Sequence, residues 1–176
     1  MKILLLSFSF LLFLNFQTRA EPLQGQARLD SLLSELPKAK GDTNEVNLLG
    51  DISFWYNSIN SDKGIEYGQK GLELAQKINW KKGEANCYNL LGQCYSTEKN
   101  DNPKALEYFF KALKLNETID AKNNKAITLG NIGRVYFHQL KYSKALEYLQ
   151  SALLIYEEIK NKSGISLTLG NIGTSY

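Results

Sequence analysis

The chain has 176 residues, 43% of them hydrophobic and 22% charged, enough for one folded domain with a real core. Its formal net charge of +3 includes Lys2 and Arg19, which precede a predicted cleavage point; without them 19 basic residues face 18 acidic ones. A nearly neutral chain has no electrostatic reason to bind nucleic acid.

In chain order, the first segment is "MKILLLSFSFLLFLNFQTRAEP". It has a basic start at Lys2, an apolar run from Ile3 to Phe16, and small residues at Thr18 and Ala20. These are the zones of a secretory signal peptide over residues 1–20, with cleavage after Ala20. The apolar run is short for a bilayer span, which needs roughly 20 residues. Export to the periplasm or the medium is the expectation.

Residues 21–42 read as a linker and a short helix. Leu29, Leu32, Leu33 and Leu36 make one stripe, ended by Pro37. Such a helix is expected to cap an N-terminal end of stacked helices. Asp42 with Glu45 predicts a helix start of the capping-box kind.

From residue 43 the chain repeats. "LGDISFWY" (49–56), "YNLLGQCY" (88–95), "LGNIGRVY" (129–136) and "LGNIGTSY" (169–176) share a large residue, an aliphatic, a small residue and a Tyr. "GIEYGQKGLELA" (64–75), "ALEYFFKALKLN" (105–116) and "ALEYLQSALLIY" (145–156) interleave with them, each with small residues seven apart. Apolar residues at i, i+3, i+4 and i+7 make both patterns amphipathic helices. The boundaries are predicted near 43–80, 81–121 and 122–161, with a half repeat over 162–176. Small residues such as Gly133, Ala145 and Ala152 mark close helix crossings. One helix pair cannot bury its apolar face alone, so neighbours must stack.

The order large–aliphatic–small–Tyr followed by Ala…Ala resembles the tetratricopeptide repeat, in a variant about 40 residues long. The resemblance implies an all-α, right-handed solenoid of antiparallel helix pairs. The first repeat is degenerate: Ser53 replaces Gly, and Gly64, Gly68 and Gly71 replace Ala, Phe and Ala. With its N-terminal segment, the chain also resembles exported Bacteroidetes tetratricopeptide proteins. In these the repeats often form the periplasmic sensory half of a longer chain, before a histidine kinase, nucleotide cyclase or DNA-binding regulator. The pattern breaks off after the first helix of a fourth repeat. That implies a longer reading frame, or else a bare end through which a secreted adaptor self-associates. A membrane would then be reached only through an uncleaved signal or a downstream segment.

No catalytic constellation is legible, and the residues given predict no enzyme, metal or cofactor. The one histidine, His138, has no paired Cys or nearby His. Cys87 and Cys94 are seven apart on one helix, too far along its axis to bridge, and read as buried hydrophobes. Asn116 and Asn161 head glycosylation sequons that chance explains. Function is therefore expected on a surface. The resemblance places a concave groove on the first helices, lined by Asn47, Asp51 and Phe54, by Asn86, Asn89 and Gln93, by Asn131, Arg134 and Phe137, and by Asn171. Amides both donate and accept, so they can hold an extended peptide backbone whatever its side chains. The positions of the chaperone-binding carboxylate clamp carry Gly50, Phe54, Leu90, Ile127 and Asn131 instead, which argues against a chaperone adaptor. The expected partner is a protein or an extended peptide.

Overall fold

The computed structural model describes residues 25–97 and 100–173. The predicted signal peptide and Tyr176 lie outside them. Helix α1 spans residues 25–35 and runs into a 3-10 turn, Leu36–Lys38. Leu29 and Leu32 of the leucine stripe are buried, while Leu33 and Leu36 are half-buried.

Seven helices follow: α2 (Thr43–Asn57), α3 (Ser61–Lys77), α4 (Lys81–Thr97), α5 (Asn102–Thr118), α6 (Lys122–His138), α7 (Tyr142–Glu158) and α8 (Lys162–Gly173). No described helix is long and apolar enough to cross a membrane. Local chemistry sets their starts. The Asp42 carboxylate accepts from the Asn44 and Glu45 backbone N–H groups at 2.9 and 3.1 Å. The Glu45 side chain reaches back one residue further than a standard capping box, to the Gly41 N–H at 2.6 Å. Asn60 and Asp101 cap α3 and α5 in the same way.

The helix ends are equally regular. Asn79, Asn100, Asp120, Leu140 and Lys160 have positive φ and stop α3 to α7. At four of them the next residue's N–H returns to a carbonyl five residues back, as in Trp80 to Ala75 (2.8 Å) and Lys141 to Tyr136 (2.9 Å); after Asn100 the Asp101 N–H reaches six back, to Tyr95 (2.9 Å). This closure turns the chain sharply and satisfies carbonyls the helix leaves open.

Each helix from α2 onward packs on the next. The first helices of the pairs also touch in series, α2 on α4, α4 on α6 and α6 on α8, while α3, α5 and α7 do not touch one another. First helices thus form the inner layer of a stack whose second helices fan apart outside. This is the all-α solenoid of antiparallel pairs that the repeats imply.

The small positions work as size complements. A Cβ on Gly92 would lie 2.6 Å from the Phe109 ring, and one on Gly133 would lie 2.9 Å from Leu149 Cγ. In the first repeat the sizes reverse. Ser53 takes the place of those glycines, and Gly68 the place of Phe109 and Leu149. A Cβ on Gly68 would meet Ser53 Oγ and Leu91 Cδ2 at 3.0 Å. Ser53 Oγ, fully buried, donates to the Gly64 carbonyl at 2.7 Å. The room left by Gly64 and Gly71 is taken from α4 by the Cys94 and Cys87 sulfurs, 3.3 and 3.1 Å from the missing methyls. Degeneracy in α3 is therefore compensated across the α3–α4 contact. Both thiols are free and buried, and burial pushes Cys87 up to about 12 and Cys94 to about 11.

One stacked tyrosine pair clamps each helix pair. Tyr56–Tyr67, Tyr95–Tyr108 and Tyr136–Tyr148 all have ring centroids 5.5 Å apart. Lys63, Lys104 and Lys144, one turn before the second-helix tyrosine, place their ammonium groups 5.2, 4.3 and 5.5 Å from the first-helix ring. Solvent screens these contacts, so each adds only a small attraction to the clamp.

Candidate functional groove

The inner layer is built by α2, α4, α6 and α8, and the predicted groove residues on these helices are in different states. Asn47, Asp51, Phe54 and Arg134 are exposed; Asn86, Asn89, Gln93, Asn131, Phe137 and Asn171 are half-buried. Phe137 belongs to the α6–α7 corner, where its ring meets Tyr142 edge-on at 5.6 Å.

The asparagines engage one another across helices. Asn131 Nδ2 donates to Asn89 Oδ1 at 3.1 Å, and Asn124 Nδ2 donates to Asn86 Oδ1 at 2.9 Å. Arg134 extends the first pair by donating to Asn131 Oδ1 at 3.1 Å. Asn161 Nδ2 donates to Asn123 Oδ1 at 2.9 Å. Each such bond uses one of the several hydrogen-bonding positions of an amide and fixes the side chain's rotamer. A ligand therefore meets donors and acceptors already ordered, which lowers the entropic cost of binding.

Between α2 and α4 the inner face holds a cavity of about 190 Å³. Asn47, Asp51, Phe54, Asn86 and Leu90 are among its walls, and Phe54 is 52% exposed. Gly50 keeps this wall open, since a Cβ there would lie 3.2 Å from Leu90 Cδ1. Further along, Ile127 and Leu167 occupy the repeat positions of Asn47 and Asn86 and are 38% and 67% exposed. The inner face thus alternates amides with apolar wells, the mixture suited to a chain with both backbone and side chains to place.

Sequence reasoning missed Asn116, Asn123, Asn124, Thr128 and Asn161 as parts of this amide system. Asn116 on α5 is 2% exposed, and its Nδ2 donates to Thr128 Oγ1 at 3.3 Å. The Thr128 hydroxyl donates in turn to the Asn124 carbonyl at 2.9 Å. Burial also closes the sequon at Asn116 to a folded-state glycosyl transfer. A signal was present: two of the inter-helix asparagine pairs, 86 with 124 and 123 with 161, share a spacing of 38.

No family model matches the chain, and no curated protein matches it significantly. Its fold is found in solved structures. It superposes with a TM-score of 0.78 and 16% identity on a Rap protein complexed with competence and sporulation factor, covering 91% of this chain and 46% of that one. BtubC (BKLC) from P. vanneervenii gives 0.70 and 18%, with 91% and 67% covered. The Podosopora anserina putative kinesin light chain with nearly identical TPR-like repeats gives 0.67 and 10%, with 91% and 81% covered. The chain spans less than half the length of the Rap structure it matches. At these identities the likeness is one of fold, and that fold is a tetratricopeptide-like helical solenoid.

Proposed function

We propose that this protein is a binding scaffold whose inner face holds an extended peptide or protein segment. The observation that carries the reading is the cross-helix amide system, Asn86 with Asn124 and Asn89 with Asn131 and Arg134. It sets a row of fixed donors and acceptors beside exposed apolar wells at Phe54 and Ile127. The fold is also that of a Rap protein whose structure is a complex with a factor, which supports the same use. The signal-like segment at residues 1–20 and the resemblance to exported tetratricopeptide proteins favour a place outside the cytoplasm, as the sensory part of a signalling protein. In that setting the repeats regulate an effector rather than perform chemistry.

Two experiments test the two halves of the reading. Asn89→Ala with Asn131→Ala should weaken capture of a short-peptide library about tenfold, because two backbone-directed hydrogen bonds are lost, with helicity unchanged by circular dichroism. Undiminished capture would sink the groove. For location, protein recovered from the expressing host should begin at Glu21; an intact Met1 terminus on cytoplasmic material would contradict export.

A further inference from the structure

The cavity between α2 and α4, of about 190 Å³, has a single charged side chain among its walls, Asp51. Its buried walls include Val46 and Cys87, 2% and 1% exposed, so the interior is apolar. Asp51 and Phe54 line it one turn apart on α2, and both are exposed. They belong to one helical stripe with Gly50, which lies against Leu90 of α4. Carboxylate and ring therefore share the side of α2 that is turned to α4, where solvent reaches both.

Asp51 also stands apart from the other acids of the stack. Glu66, Glu84, Glu107, Glu117 and Glu158 each meet a lysine at 2.6–2.9 Å. Asp51 has neither an ion pair nor a side-chain hydrogen bond among the described residues. The cause is local. The residues three and four places away on α2 are Asn47, Leu48, Phe54 and Trp55, none of them basic. Leu90, Asn131 and Asn171 hold the place of Asp51 in the later repeats. The carboxylate beside this cavity is a feature of the first repeat alone.

From this we infer that the first repeat carries a subsite for a basic side chain of the bound peptide, arginine above lysine. The inference rests on the groove reading above and names one residue of its ligand. An arginine matches the three kinds of wall. Its guanidinium is a planar fork of donors that suits a carboxylate, here Asp51. The same plane stacks on an aromatic ring, here Phe54, which is 52% exposed. Its methylene stem covers apolar walls such as Val46 and Leu90. Lysine brings the charge and the stem without the fork. A wholly apolar side chain would take water from an unpaired carboxylate and give no hydrogen bond in return. An acidic one would set like charges together. The volume is about six times a single water's share of the liquid, room enough for a guanidinium.

The test uses the full chain and a positional-scanning library of short, end-blocked peptides that includes citrulline, the uncharged analogue of arginine. Capture is compared pool by pool for the wild type and for Asp51→Asn, which copies Asn131 and Asn171 at the same repeat position and should fold. Arginine should exceed citrulline and leucine about tenfold at one position. That preference should be lost in Asp51→Asn while capture of the other pools persists. Phe54→Gln, which copies Gln93, is a second reading of the same subsite and should cut the preference about threefold. Leucine preferred at that position, arginine no better than citrulline, or a preference unchanged in both variants overturns the basic subsite and leaves the groove standing. Failure of the wild type to capture any pool removes the groove reading and the subsite with it.

Discussion

Single residues in this chain are chosen by what faces them, and glycine shows it best. Gly92 and Gly133 sit where a methyl would strike Phe109 and Leu149, whereas a methyl added at Gly130 or Gly170 would meet nothing within 4 Å. Alanine should therefore act with opposite sign at the two kinds of site. Gly133→Ala should lower stability by about 1–3 kcal/mol through overpacking. Gly130→Ala should raise it by about 0.5–1 kcal/mol, because alanine stiffens a helix interior at no steric cost. Urea denaturation followed by circular dichroism reads both; a shared sign would mean that the α6–α7 crossing is looser than its distances imply. The two glycine classes look alike in the sequence, adjacent as "LGNIG", and only the packing partner separates them. The cysteines, by contrast, were legible: their spacing forbids a bridge, and both are found free and buried.

At the scale of the helix, the turns reveal more than the helix interiors. Five helices end on a residue in the left-handed region, and at Leu140 and Lys160 that residue has neither the freedom of glycine nor the local bonding of asparagine. Leu140 is also 71% exposed, so its apolar side chain contributes little in return. Asn100 occupies the same place one repeat earlier. Leu140→Asn should stabilise the protein by roughly 1 kcal/mol, seen as a higher urea midpoint with an unchanged slope. A loss of stability would show that Leu140 is held by a contact of its own. Helix existence was readable from periodicity, because seven-residue spacing of small side chains survives even in the degenerate first repeat. What periodicity could not convey was how that repeat packs. The answer lies in residues of the next helix, Cys87, Leu91 and Cys94, which fill the space of the absent Ala, Phe and Ala.

For the whole molecule, the helix contacts assign an inner and an outer layer, and the inner layer carries the amides. The repeat resemblance supplied a list of candidate groove residues, but not how they bond to one another. Asparagines that read as separate peptide clamps bond to each other across neighbouring repeats and out of register, Asn89 with Asn131 and Asn86 with Asn124. Those bonds depend on the stagger between neighbouring repeats, which one sequence leaves open. Asn116 was invisible for a related reason: it belongs to a second helix, and only the packing of α5 on α6 brings it against Thr128. Whether the inner face is the binding face is best decided by amide chemical-shift mapping of the labelled protein with a peptide pool selected from the library. Perturbations should be confined to the inner faces of α2, α4, α6 and α8, strongest around Asn89 and Asn131. Perturbations along α3, α5 and α7, or none at saturating peptide, would contradict a peptide-binding groove.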